Sequence, residues 1–160
     1  TAAFDELPQS GLDALWIDDL EIALALPSTS LGFDAYEGSA IAQTVTVSAG
    51  TLASFDWILK TNAFDVAYVD RAFVVINGSV MNFANVAAGT VSGSFSHLFD
   101  TAGTYGFAVG VVDVNDVAGV SFLDVSNLTF QVSAVPEPTS VILLLAGLAG
   151  VGAVARKRRA

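Results

Sequence analysis

From Gly32 to Val135 the apolar positions fall in short runs rich in Val, Ile, Phe and Thr, broken by Gly, Asn, Asp and Ser. This spacing is that of strands and turns, and no helix-length amphipathic stretch interrupts it. In IAQTVTVSAG, Thr44, Thr46 and Ser48 alternate with Val45 and Val47, and the Ala49-Gly50 pair turns the chain into TLASFDWILK. There Phe55, Trp57 and Leu59 share one parity and Leu52 and Ile58 take the other, which predicts a bulge or a strand buried on both faces. Further strands are predicted near Arg71–Ile76, Ser79–Phe83, Val91–Phe99, Thr104–Val112 and Asn127–Ser133. Asn77-Gly78 suits the positive φ angles of a type I′ hairpin turn, and Asp100–Gly103 supplies another turn. In GTYGFAVGVVDV, Tyr105, Phe107, Val109 and Val111 lie on one face and Gly106, Ala108 and Gly110 on the other. A whole face of small residues implies close cover by another layer or a partner. Roughly seven to nine strands at this spacing predict an all-β fold, a jelly-roll-like or Ig-like antiparallel β-sandwich. The first 30 residues are mixed: LDALWIDDLEIALALP fits either an edge strand or a short helix begun near Ser10.

The pattern changes at the end of the chain. From Thr139 to Ala155 no residue is charged, and the run is mostly Leu, Val, Ile, Ala and Gly. At about 1.5 Å per residue it makes a helix of roughly 25 Å without a polar face, the short end of what spans a bilayer. Arg156, Lys157, Arg158 and Arg159 follow, able to snorkel among lipid headgroups and belonging on the cytoplasmic side. The predicted organisation is an exported sandwich over 1–134, a linker over 135–138, a transmembrane helix over 139–155 and a basic cytoplasmic end over 156–160. Ala146, Gly147 and Gly150 give the helix a small-residue flank for a second helix. Val151, four residues after Gly147, breaks a strict GxxxG, so Ala146 with Gly150 and Ala149 with Ala153 are the better pairs. The opening TAAFDEL, without Met, suits a mature end left by removal of an export signal, and equally a boundary with no such meaning.

Charge and composition narrow the chemistry. The net charge of −10 is divided: all 16 acidic residues lie at or before Glu137, and four of the six cations form the terminal cluster. With only Lys60 and Arg71 as cations, the body lacks the positive field that a phosphate backbone requires, and nucleic acid is excluded as a partner. There is no cysteine. The one histidine, His97, shares strand parity with Phe95 and Phe99, and no nucleophile-elbow motif accompanies it, so no enzymatic activity is expected. Asp113, Asn115 and Asp116, with Asp124 beyond, alternate carboxylate and amide oxygens as a calcium site does, but lack the glycine and glutamate of an EF-hand. A solvated loop whose side chains bond their own backbone accounts for the same residues and is the preferred reading over calcium. No other cofactor is expected. Trp16, Trp57, Tyr36, Tyr68 and Tyr105 are candidates for a sugar-stacking platform or for core packing.

Val135-Pro136-Glu137-Pro138, a short apolar helix and an arginine-rich end, in that order, resemble the PEP-CTERM sorting signal of Gram-negative bacteria. The resemblance implies export by a signal peptide, transient anchoring in the inner membrane, and recognition by an exosortase near Pro136-Glu137-Pro138. Its bearers are often secreted or surface proteins associated with exopolysaccharide. GSAIAQTVTVSAGTLASFDW and AGTYGFAVGVVDVND are similar to the sandwich bodies that accompany this signal and, distantly, to carbohydrate-binding modules. Two functions are expected from this. The first is a non-catalytic periplasmic sandwich kept on its anchor, in contact with lipid and integral membrane subunits, as a structural part of a photosynthetic or respiratory complex. The second is an exosortase-processed protein of the cell surface or polysaccharide matrix, binding sugar. A periplasmic hydrolase using His97 or the Asp113 and Asp116 pair ranks below both.

Overall fold

The structure, a computed structural model, describes residues 5–6, 14–62, 68–115 and 120–132. The predicted helix over 139–155, the basic end and the Val135–Pro138 linker lie outside the described residues. Among those described, the elements in chain order are β1 (Asp5–Glu6), β2 (Leu15–Trp16), α1 (Ile17–Ala23), β3 (Ala35–Val47), β4 (Thr51–Thr61), β5 (Asp70–Ile76), β6 (Ser79–Val86), β7 (Gly89–Phe99), β8 (Gly103–Val114) and β9 (Ser121–Val132). Every strand pairing is antiparallel. One sheet runs β1-β3-β8-β5-β6, with β2 also on β3, and the other runs β7-β4-β9.

The turns follow from the residues that form them. Asn77 and Gly78 have φ of 52° and 81°, and Ile76 pairs with Ser79, so this two-residue hairpin is the predicted I′ type. Gly50, with φ 78°, also turns the chain, but it does not make a hairpin. Its strands lie in different sheets: Val47 pairs with Gly103 of β8, whereas Thr51 pairs with Phe99 of β7. The ambiguous N-terminal segment holds a two-residue strand on β3 and then a seven-residue helix, which begins at Ile17 rather than near Ser10. Asp18 and Asp19 in the first turn of α1 suit the positive end of its dipole.

The two sheets face each other across a core that both supply. Val45, Val47, Val74, Ile76, Phe107 and Val109 come from one sheet, and Ala53, Phe55 and Phe99 from the other. Aromatic rings bridge the gap, with Phe55 of β4 edge-on to Phe83 of β6 at 5.5 Å and Phe107 of β8 edge-on to Phe130 of β9 at 5.5 Å. The larger sheet is covered on its far side too. There Leu20, Leu26 and Leu31 pack with Ala40, Phe73, Val75, Ala108 and Val112. The small face of β8 is therefore covered from within the chain. A Cβ on Gly110 would lie 2.5 Å from Phe73 Cζ and 2.4 Å from the Ser39 carbonyl oxygen, so the Phe73 ring and the neighbouring backbone already occupy that space.

Two carboxylates fix the segment that makes this third layer. Glu21, buried at 2 % exposure, accepts hydrogen bonds from the Thr29 and Leu31 backbone N–H groups, each 2.8 Å. Asp34 takes a two-pronged contact from Arg71, whose Nη1 and Nη2 donate to its carboxylate oxygens at 2.8 and 2.6 Å. Those bonds, aided by the guanidinium charge, outweigh partial burial and hold the Asp34 carboxyl below its ordinary pKa. Gly32, at φ 117°, leaves room for Arg71, since a Cβ there would stand 2.3 Å from Nη2. Asp70 is also buried, accepting the Val114 N–H at 3.2 Å and the Ser121 hydroxyl, and so ties the end of β8 to the start of β9.

Replacing Glu21 with Ala leaves two donors of the Thr29–Leu31 segment without their acceptor, and should cost about 2–4 kcal/mol. Glu21→Gln, which keeps an acceptor, should cost less. Gly110→Ala should destabilise by about 1–3 kcal/mol or more, because backbone as well as a ring must give way. Urea unfolding followed by intrinsic fluorescence measures all three; a midpoint within error of the parent protein for Glu21→Ala or Gly110→Ala would contradict the account.

Candidate functional site

The outer face of the β7-β4-β9 sheet is where polar groups converge without a covering layer among the described residues. Alternation in β4 turns Phe55, Trp57 and Leu59 inward and Leu52, Ser54, Asp56, Ile58 and Lys60 outward. Leu52 and Ile58 are 38 % and 39 % exposed, so β4 is not buried on both faces. The predicted irregularity is real but sits on its neighbour: Ser54 pairs with Thr129 and Asp56 with Ser126, leaving one extra residue on β9. Asn127, with φ 55°, belongs to that bulge.

The bulge directs the Asn127 amide at Asp56. Asn127 Nδ2 donates to Asp56 Oδ2 at 2.8 Å, and from the other side the Ser94 hydroxyl donates to Oδ1 at 2.7 Å. Bonds from Asn127 first and Ser94 second hold the Asp56 carboxyl below its ordinary pKa. One row away the Ser54 and Thr129 hydroxyls stand 3.0 Å apart, and Lys60 reaches Asp124 Oδ2 at 2.6 Å. The result is a fixed, anionic, hydroxyl-lined surface with Ile58 and Phe122 as apolar neighbours. Its chemistry is that of a hydrogen-bond acceptor flanked by hydroxyls, suited to hydroxylated ligands. A second opening, a cleft of about 300 Å³, lies at the seam where Ser39, Ile41 and Val111 of one sheet meet Leu123 and Val125 of the other.

The residues singled out from the sequence are dispersed. Asp113 sits on β8 opposite Glu37 of β3, and Asn115 follows that strand with φ 63°, its N–H donating to the Asp34 carbonyl at 2.7 Å. Asp124 is on the other sheet, on the outer face and engaged by Lys60, while Asp116 lies outside the described residues. Among the described residues no three His, Cys, Asp or Glu side chains gather as a metal site requires. His97 packs edge-on to Phe99 with ring centroids 4.9 Å apart. Of the aromatic candidates, Trp57 and Tyr105 are half-buried in the core, against Phe83 and Phe99, and Trp16, Tyr36 and Tyr68 are exposed. Pro136, Ala146, Gly147, Gly150 and Arg156–Arg159 fall outside the described residues, as do the other positions from 133 onward. Among the described residues no helix is long and apolar enough to cross a membrane.

The Asp56 cluster is absent from the sequence reading. Its three members come from three strands and one bulge, so no local spacing announces it.

Asp56 stays ionised in the folded protein at a pH where the unfolded carboxyl has begun to take up its proton. The stabilisation from its two bonds is therefore complete above the unfolded value of about 3.9 and is lost as pH falls through the lower folded value. Asn127→Ala and Ser94→Ala should each move the Asp56 titration upward toward the ordinary value. Carboxyl-carbon chemical shifts read against pH would show it, and titration of Asp56 unchanged in both variants would refute the assignment.

No curated protein and no solved structure matches the chain. Residues 134–159 match the PEP-CTERM protein-sorting motif, so the chain carries, directly beyond its last described strand, a PEP-CTERM sorting signal.

Proposed function

We propose that this chain is an exosortase-processed, non-catalytic β-sandwich of the cell surface or exopolysaccharide matrix. The observation that carries the reading is the match of residues 134–159 to the sorting motif, which implies export, anchoring in the membrane and then processing by an exosortase. The first expectation, a permanent subunit of a photosynthetic or respiratory membrane complex, has no support in the fold or in the match. Two features of the body agree with a role after release. Strand orders β3-β8-β5-β6 and β7-β4-β9, with every connection from β3 onward except the β5–β6 hairpin crossing between sheets, fit a jelly-roll-like sandwich, an architecture used by lectins. The hydroxyl-lined face around Asp56 offers a polysaccharide both fixed acceptors and hydroxyl partners. Calcium is no part of this reading, since Asp124 is already paired with Lys60.

Intact-mass measurement of the protein from cell fractions tests the reading. The expected result is a body ending near Pro136–Pro138, found outside the inner membrane, and a full-length, membrane-held form when Pro136-Glu137-Pro138 is changed to alanines. A full-length mass in unmodified cells, with integral membrane subunits copurifying in fixed ratio, would replace it with the subunit reading.

A further inference from the structure

Two sheets in a sandwich have four edges, and three of the four here carry a feature that blocks further pairing. The outer edge of β3 is partly covered by β1 and β2. Strand β6 has an extra residue at Phe83, because Ala72 pairs with Ala84 and Phe73 with Asn82. Strand β9 has its bulge between Ser126 and Thr129. Strand β7 has none of these. It pairs with β4 in unbroken register over eleven residues, from Thr51 with Phe99 to Thr61 with Gly89, and among the described residues no strand pairs with its other side. Its sequence, GTVSGSFSHLF, contains no Asp, Glu, Lys, Arg or Pro, the residues with which natural edges are protected.

We propose that β7 is an assembly edge that pairs antiparallel with β7 of a second copy, across a two-fold axis at Ser94, joining two three-stranded sheets into one of six. Self-complementarity argues for a second copy. About Ser94, Ser92 falls opposite the second copy's Ser96 on the outer face, and Gly93 falls opposite the second copy's Phe95 on the inner face. Within one chain Trp57 already lies across Gly93, so closely that a Cβ would be 2.7 Å from its ring, and the second copy's Phe95 packs beside that ring. Charge argues the same way. The chain up to Ala155 has two cations against 16 acids, so two copies repel over most of their surfaces, and β7 is an eleven-residue stretch without a formal charge. The proposal rests on the strand edges and stands whether or not the tail is removed.

The chain has no cysteine, so single cysteines can be read without background. Ser92→Cys, Ser94→Cys and Ser96→Cys would each be made in the full chain, purified in mild detergent and oxidised. Ser94→Cys should give a covalent dimer in high yield, because only that position meets its own copy on the axis. Ser92→Cys and Ser96→Cys alone should give little, and mixing those two should restore the crosslink. In parallel, Ser92→Lys with Ser96→Lys in one chain sets lysine opposite lysine on both sides of the axis, clear of the Ser94–Asp56 bond, and should lower the sedimenting mass from two chains to one while a cooperative thermal transition remains. A monomer at all concentrations, or a dimer that crosslinks at none of these positions and survives the double lysine variant, would overturn the proposal. The second result would point to pairing through the Ala146 and Gly150 flank instead.

Discussion

The trough on the outer face of β8 is the constraint on which the other layers depend. Gly110 and Ala108 leave a depression that Phe73 of the adjacent strand fills, flush with Val75 and Val112. That packing makes a surface on which Leu20, Leu26 and Leu31 can lie, and so lets a helix of only seven residues hold its place. A helix that short has little stability of its own, and its position comes from what it covers. On the opposite face the same strand presents Tyr105, Phe107 and Val109, large residues that span the gap to the smaller sheet. One strand thus sets two different spacings, close packing on one side and an aromatic-filled core on the other.

The polar groups complete what packing begins. Glu21 and the Asp34–Arg71 pair pin the layer over β8 by satisfying backbone and guanidinium donors that the turns leave available, and Asp70 performs the same service where β8 leads to β9. These four side chains face into the structure. Asp56 faces out of it, held by two hydrogen bonds but without cover among the described residues, and that difference separates a group enclosed by the fold from one left open on its surface.

Strand positions were legible because parity and turn residues are local. Val45 and Val47 face inward, Asn77-Gly78 makes the hairpin its φ angles require, and the small face of β8 is covered, each as the alternation implies. Pairing partners were not legible, because parity tells which way a side chain points and says nothing of which strand lies beside it. Thus the Ala49-Gly50 turn reads the same whether it joins hairpin strands or carries the chain from one sheet to the other. The mixed parity of Leu52 and Ile58 signalled an irregularity, yet the bulge stands on β9, where Asn127 takes positive φ with no glycine to mark it. The sorting signal was legible for the opposite reason: its parts are contiguous and need no tertiary structure to be seen.

That crossing turn at Gly50 also governs when the fold can close. Strand β3 has no pairing with the strand that follows it, and its main partner, β8, emerges only after four other strands have been laid down between them. Apart from the β5–β6 hairpin, most contacts are between segments distant in sequence, a topology that condenses slowly. For a chain whose end is a sorting signal that implies export, slowness is useful. A polypeptide that cannot complete its sheet until nearly all of it is present remains threadable through a narrow channel, and gains its final shape on the far side.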